Sequence, residues 1–371
     1  MKIAVFHNFP AGGGKRTVYE QVKGLIKYGH AVEVFEIKNS DSDFCDLRSL
    51  GCKVHEIDFE KTSNLPGILA RLQKDYQNFF VLKNIHASWA TFINSSGFDV
   101  ALVHTDLYTE SPFILQFLKV PHVYHCHELL RIGYEKEYAF TDKVSWPKYL
   151  YEILTRKYRV YIDRINARSA QHIITNSKFT QSNIKKAYGR QATICYSGVD
   201  TNIFKPVAKK SNTILFMGQK NYVGGYDFVQ KIVSLLPKKA KTRIINFGFP
   251  EGRPDTKNDL VLAKAYSQAL ATLCVSYNEP FGLKALESMA CGTPALAVSE
   301  GGYVDSIIHG QTGWLLPRDP QVFATLITKL IKNTAISIRL GKRARTHVIR
   351  NWTWNRHVQQ LEKILKKISH V

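Results

Sequence analysis

The chain has 371 residues, 44% hydrophobic and 22% charged, a balance that excludes a disordered polymer and is long enough for two domains with separate cores. Fifty-one lysines and arginines against thirty aspartates and glutamates give a formal charge of +21, which predicts an anionic partner; nucleic acid and an anionic membrane surface both qualify. No apolar run approaches the roughly 20 residues that span a bilayer, and the six cysteines (Cys45, Cys52, Cys126, Cys195, Cys274, Cys291) form no C-x-x-C pair, so buried thiols are expected rather than disulfides or zinc.

In chain order, the sequence opens on the strand Lys2 to Phe6 with no signal peptide before it, which predicts a cytosolic protein. Gly12-Gly13-Gly14 follows. Glycines there let a backbone approach a phosphate closely, the alternative being a flexible turn; the third glycine of the dinucleotide fingerprint is lacking. Further strands are expected at residues 31–37, 53–57, 100–104, 122–126, 172–175 and 193–196, alternating with helices, which predicts a doubly wound parallel α/β sheet. His125-Cys126-His127-Glu128 ends one of these strands. Alternation puts His125 and His127 on one face, but no third ligand accompanies them at helical or loop spacing, so no metal is expected. The segment from Trp146 to Tyr161 mixes basic and aromatic residues at near-helical spacing, either as a face for a membrane interface or as an ordinary helix packing its tyrosines.

A proline-bearing polar stretch, Phe204 to Ser211, separates this series from a second one, with strands expected at 213–217, 242–247, 271–275, 294–298 and 314–316. Two Rossmann-like domains follow. Between residue 248 and the helix that starts near Asn258 there is only the proline-rich loop 249–257, so the second sheet is expected to be short. The buried strand Ala271 to Val275 leads to Pro280-Phe281-Gly282, where a helix should begin. Its first-turn N–H groups and positive dipole end would favour an anion at the sheet's carboxyl edge. Glu287 falls about two turns on at ~3.6 residues per turn, where a carboxylate can accept bonds from vicinal hydroxyls such as those of a ribose.

The stretch from Asn278 to Glu287, leading into Ala290-Cys291-Gly292-Thr293-Pro294, resembles the Glu-x7-Glu signature of retaining family 4 glycosyltransferases, the glutamates being Glu279 and Glu287. Three further blocks, His7 to Ile37, Ile174 to Pro206 and Glu300 to Leu316, match that family in order and spacing, so the resemblance covers nearly the whole chain. It implies the GT-B fold, with an acceptor-side domain over residues 1–205, a nucleotide-sugar domain over 206–350 facing it across a cleft, and a last helix, 351–371, crossing back to the first domain. The activity it implies is retaining transfer of a hexose, of the mannose or glucose type, from a nucleotide diphosphate sugar to a hydroxyl of a glycan or lipid-linked glycan, with neither metal nor cofactor.

By the same resemblance His127 and Glu279 contact the transferred sugar, while Gly12, Gly13, Gly14 and the amides of Phe281, Gly282 and Leu283 serve the donor phosphates. Glu287 takes the ribose, and Arg131 and Tyr134 shape the acceptor pocket. Gln219 and Gly224 stand where the family pattern carries an arginine and a lysine, which leaves Lys220 and Lys284 as the replacement cations. Lys284 has the alternative of pairing with Glu287, and His127 that of a buried structural histidine. Gly301-Gly302 and Asp305 resemble the family's GG…E loop. Because family members often act on lipid-linked acceptors, the excess of positive charge is read as peripheral contact with an anionic membrane at its cytoplasmic face rather than with nucleic acid. Two other readings are a non-catalytic GT-B subunit that binds glycans or scaffolds, motivated by Gln219 and Gly224, and a sugar-nucleotide epimerase.

Overall fold

A computed structural model of the chain describes residues 1–38, 43–59, 63–135, 146–218, 220–241, 243–246 and 258–369. By its internal contacts the chain divides into two units, one of Met1–Asn176, Thr180–Cys195 and Val358–Val371, the other of Ser177–Phe179 and Tyr196–His357. Gln219 and the loop 249–257 lie outside the described residues.

Unit 1 runs β1 (Lys2–Asn8), α1 (Gly13–Lys27), β2 (Ala31–Ile37), β3 (Lys53–Ile57), α2 (Gly67–Tyr76), α3 (Leu82–Ser95), β4 (Val100–Asp106), β5 (His122–Cys126), α4 (Arg131–Tyr134), α5 (Trp146–Ser169), β6 (His172–Thr175), α6 (Lys178–Tyr188) and β7 (Thr193–Ile194). Its seven strands form a parallel sheet in the order β3-β2-β1-β4-β5-β6-β7. β4 and β5 are buried along their whole length, as strands covered on both faces must be. One face carries Phe6, Phe35, Val103 and Tyr124, the other Ile3, Val5, Val34 and Leu102. All seven strands stand where the sequence places them.

Unit 2 runs β8 (Ile214–Phe216), α7 (Tyr226–Leu235), α8 (Lys238–Lys241), β9 (Ile244–Asn246), α9 (Asp259–Gln268), β10 (Ala271–Cys274), α10 (Leu283–Ala290), β11 (Ala295–Val298), α11 (Tyr303–Ser306), β12 (Gly313–Leu316), α12 (Pro320–Lys332) and α13 (Thr334–Asn351). Its five parallel strands lie in the order β12-β11-β10-β8-β9. The chain moves outward from β8 to β9, then returns to the other side of β8 to lay down β10. That reversal makes the β8/β10 edge a topological switch point, the place where open α/β sheets bind ligands.

The last helix, α14 (Trp354–Ser369), places Val358, Leu361 and Leu365 in the core of unit 1 beside Val18, Val22 and Leu25 of α1. Their i, i+3, i+7 spacing is one helical face. Gly24 of α1 admits this contact, because a Cβ there would lie 2.5 Å from the Val358 Cγ2. His30 and Glu362 add a bond of 2.9 Å. Among the described residues no helix is long and apolar enough to cross a membrane.

His357, at the start of α14, is buried and its Nδ1 lies 2.7 Å from the Tyr196 carbonyl oxygen. Burial pulls its pKa from 6.5 down to about 4. Below pH 6.5 the unfolded chain takes up a proton that the folded ring refuses, so stability falls as pH drops through that window. At about 1.4 kcal/mol per pKa unit, His357 accounts for about 2 kcal/mol of the loss between pH 6.5 and pH 5. Urea unfolding of His357→Gln should lose correspondingly less stability over that range than the parent chain; equal losses would refute the assignment.

Candidate functional site

Each unit carries a cluster of chemically useful groups at the carboxyl edge of its own sheet. In unit 1 the first strand ends at Asn8, and Gly12 caps α1 with φ 155° and ψ −169°, a conformation essentially restricted to glycine. No side chain caps α1, so its first turn, from Gly13 and Gly14 onward, presents its amides and positive dipole end to that edge. Gly14 is fixed by crowding, since a Cβ there would sit 2.8 Å from the Phe9 ring. The same ring stands edge-on to His127 at 5.0 Å between centroids. Phe9 thus ties the glycine turn to His127, two elements far apart in sequence.

His127 is buried, its Nε2 3.0 Å from the Nδ1 of His104. His125 stacks on it at 4.1 Å, and the Gln21 side-chain nitrogen lies 3.1 Å from the His125 Nδ1. One nitrogen from each of His104, His125 and His127 lies within 4.8 Å of the others, a grouping able to hold a metal ion. The expectation that no third ligand accompanies the histidine pair is therefore corrected. His104 comes from the adjacent strand, where the β4–β5 register sets it opposite His125, and spacing along a single strand or helix does not reveal a cross-strand partner.

Arg131 and Tyr134, from the short helix α4, part company. Arg131 lines a cavity of 310 Å³ together with Phe79, Glu110, Glu128 and Arg159, and its Nε donates to Glu135 at 3.0 Å. Tyr134 does not line that cavity. Its hydroxyl donates to Asp163 at 3.1 Å and its ring rests edge-on against Tyr188. Burial lifts the Asp163 pKa to about 6, against the pull of hydrogen bonds from Ser111, Tyr188 and Tyr134. Glu110 has the left-handed φ of 63°, strained for a glutamate. Burial, then the neighbouring charges of Glu128, Asp163 and Asp106, hold its carboxyl well above the usual range. No sequence motif marks Glu110; only the fold puts it in the cavity.

In unit 2 the cluster sits at the β8/β10 switch point. Glu279 lies between Asn278 and Gly282, whose φ values are 49° and 94°, so the turn that presents it is held in unusual backbone geometry on both sides. Gly301 and Gly302 press against it. The Gly302 amide donates to the Glu279 carbonyl at 2.7 Å. A Cβ on Gly301 would lie 2.5 Å from that same oxygen, and one on Gly302 would lie 2.4 Å from the Phe281 Cα. Gly282 caps α10 and no side chain caps it further, so the amides around Phe281, Gly282 and Leu283 open on this edge. Within the first turn of α10, the Lys284 Nζ donates to the Met217 carbonyl at 2.7 Å. Of its two readings, this contact carries the ammonium to the end of β8 and not to Glu287. Glu287 is buried and accepts from the Tyr266 hydroxyl at 3.0 Å.

The loop after β8 closes on the same edge. Gly225 has φ 78° and packs on the Val275 carbonyl, 2.3 Å from where its Cβ would be. The Gly224 amide donates to the Asn221 side chain at 2.7 Å. Lys220 is exposed, its Nζ 6.0 Å from the Tyr226 ring centroid. Sequence reasoning missed Arg318, which pairs with Glu300, donates to the carbonyls of Val275 (2.9 Å) and Ser276 (3.2 Å), and covers the Tyr277 ring at 3.7 Å. It also missed Tyr266; neither residue stands near the Glu-x7-Glu stretch in sequence.

Gly301 and Gly310 separate conformation from crowding. Both have positive φ, of 62° and 71°, but nothing lies within 4 Å of a Cβ on Gly310. Gly310→Ala should cost about 1 kcal/mol for the left-handed backbone alone. Gly301→Ala should cost at least about 1 kcal/mol more, because its neighbour is backbone that cannot yield. Equal losses in denaturant titrations would show that the close approach at Glu279 carries no weight.

Comparison with known proteins identifies the family and the fold. Residues 11–203 match Glycosyltransferase Family 4 and residues 255–347 match Glycosyl transferases group 1. A D-inositol 3-phosphate glycosyltransferase of Salinispora arenicola is 38% identical over 112 residues, 30% of this chain and 24% of that protein. One from Nocardiopsis dassonvillei is 26% identical over 237 residues, 52% of this chain and 55% of that protein. The matches thus span from about a quarter to about half the length of these curated relatives. Among solved structures, sucrose-phosphate synthase from Thermosynechococcus elongatus superposes with TM-score 0.74 at 18% identity, covering 99% of this chain and 98% of the other. Anabaena HepE, determined with UDP-glucose, gives 0.70 at 17% identity, covering 99% and 100%. These likenesses show the GT-B fold of two Rossmann-like domains. With the first family match alone spanning more than half of its residues, the chain belongs to Glycosyltransferase Family 4.

Proposed function

We propose that the protein transfers a hexose, of the mannose or glucose type, from a nucleotide diphosphate sugar to a hydroxyl of a glycan or lipid-linked glycan, retaining the anomeric configuration and needing no metal. The observation that carries this reading is the β10–α10 corner of unit 2, where Glu279 precedes an uncapped helix N-terminus, Lys284 lies in the first turn of α10 and Glu287 at the start of its second. The likeness to a protein determined with UDP-glucose and to relatives named as glycosyltransferases supports a nucleotide-sugar donor.

In this reading Glu287, oriented by the Tyr266 hydroxyl, accepts the vicinal hydroxyls of the ribose. The amides of Phe281, Gly282 and Leu283 face the diphosphate, and their preorganised dipoles stabilise it more strongly as its charge grows on leaving. Lys284 exchanges the Met217 carbonyl for a phosphate oxygen, and Lys220 lies one loop away. These two replace the cations that Gln219 and Gly224 do not provide. Glu279 hydrogen-bonds the hexose hydroxyls. Within unit 1, the resemblance assigns His127 and the amides after Gly12 to sugar and phosphate groups, and Arg131 to the acceptor. The acceptor hydroxyl attacks the anomeric carbon on the face the diphosphate leaves, and the departing phosphate oxygen takes its proton, so no protein nucleophile is needed. A non-catalytic glycan-binding subunit is the second reading, favoured by Gly224 standing where the family has a lysine.

A charge-assisted hydrogen bond contributes about 1.5–3 kcal/mol, so Lys284→Ala should weaken donor binding roughly 10- to 100-fold with little change in melting temperature. An unchanged affinity would remove Lys284 from the phosphate site. The transfer rate should also be indifferent to EDTA. Loss of activity in EDTA, restored by a divalent transition metal, would overturn the metal-free reading and move the chemistry to His104, His125 and His127. Transfer undetectable from every donor would leave the non-catalytic reading.

A further inference from the structure

Helix α2 has no buried residue. Ile68, Leu69, Leu72 and Tyr76 are all about half exposed or more, and at ~3.6 residues per turn they share an arc of less than a third of the helix circumference. Leu65 before the helix and Phe80 and Val81 after it continue the exposed apolar run. On α5, Trp146, Leu150, Leu154, Tyr158 and Tyr161 are exposed, Trp146 by 73%, and their spacing of three and four makes one stripe. With Tyr149, residues 65–81 and 146–161 hold thirteen of the twenty-four large hydrophobic side chains exposed among the described residues.

The two helices form one surface. Arg71 pairs with Glu152 at 2.7 Å, Arg159 with Asp75 at 3.0 Å, the Tyr151 hydroxyl donates to Asp75, and the Phe79 and Tyr158 rings meet edge-on at 4.8 Å. Asp75 and Glu152 are the two carboxylates of these segments, and each is occupied by an arginine of the opposite helix. Lys74, Lys148 and Lys157 are exposed. The surface therefore offers aliphatic and aromatic side chains among cations, with its acidic groups neutralised internally.

We infer that the α2–α5 surface docks on an anionic lipid bilayer. Tryptophan and tyrosine favour the boundary between hydrocarbon and head groups, leucine and isoleucine enter it, and lysine stems lie along apolar surface while their charges reach lipid phosphates. A protein partner could cover apolar area as well, but the exposed lysines without an exposed carboxylate are complementary to an anionic sheet of head groups, as is the charge of +21. The 310 Å³ cavity fits this orientation. Its lining includes Phe79 of the segment after α2, Arg159 and Ile162 of α5, and Arg131, Glu110 and Glu128, so the glycan head of a lipid anchored in the bilayer would meet polar groups beside the apolar surface. Docking itself does not rest on the transfer reading; only this last step, which selects a lipid-linked acceptor, does.

The test is co-sedimentation of the full chain with vesicles of phosphatidylcholine alone and of phosphatidylcholine with phosphatidylglycerol, without donor or acceptor. The protein should sediment with the anionic vesicles and much less with the neutral ones. Leu72→Gln combined with Leu154→Gln should weaken this at least tenfold, and so should Lys148→Glu combined with Lys157→Glu, each with an unchanged melting temperature because the altered side chains are exposed. Failure to sediment, sedimentation unaffected by either pair, or a dimer in solution that the leucine pair dissociates would overturn the proposal. Since no sugar is present, the result is separate from success or failure of glycosyl transfer.

Discussion

The site of unit 2 depends on backbones approaching more closely than side chains allow. Gly301 and Gly302 lie against the chain from Glu279 to Phe281, and Gly225 lies against the Val275 carbonyl. A Cβ at any of these would fall 2.3–2.5 Å from backbone atoms, far inside van der Waals contact. Because these glycines leave no gap, the turn after β10 has one place to go. Asn278 and Gly282 accept left-handed geometry, Glu279 is held out at the strand end, and α10 starts with its amides at the sheet edge. Arg318 fixes the same strand end from the other side by bonding the two carbonyls that the end of β10 leaves over. Strain in the turn is thus balanced by glycine packing and one arginine.

Unit 1 solves a different problem, the placing of polar rings in a buried sheet. His104, His125 and His127 are shielded from water, yet each touches another imidazole or the Gln21 amide. Buried polar groups are tolerable when bonded and costly when not, so the three rings and Gln21 constrain one another's orientation. Phe9 closes the arrangement by contacting both His127 and the position of Gly14. The glycine turn and the histidine are therefore a single packed unit, and the orientation of His127 follows from Phe9 just after β1, His104 on β4 and His125 on β5.

Much of the architecture was legible because it is written in local patterns. Most of the strands are apolar runs or alternate apolar with polar residues, and all twelve fall where the sequence places them; the start of α10 follows from Pro280-Phe281-Gly282. The resemblance to Glycosyltransferase Family 4, carried by four blocks of sequence, is confirmed as membership. What local pattern cannot show is register between strands and the direction of a side chain at a helix end. His104 joins His125 only through the β4–β5 pairing. Tyr266 reaches Glu287 from another helix, and Lys284 turns to Met217 rather than along its own helix. The exposed face of α2 escaped notice for a related reason. Its periodicity is that of any core-facing helix, and only burial reveals that among the described residues nothing covers it.

The central claim is that the β10–α10 corner binds a nucleotide diphosphate. The most direct measurement is a thermal-shift panel of UDP, GDP, ADP and their sugar conjugates against the parent chain and Glu287→Ala. Ligand at ~100 times its dissociation constant adds about 2.7 kcal/mol, which moves a melting temperature by degrees. Stabilisation by one nucleotide series, lost in Glu287→Ala, is the predicted result. Stabilisation that survives the substitution, or silence across the panel, would contradict the account.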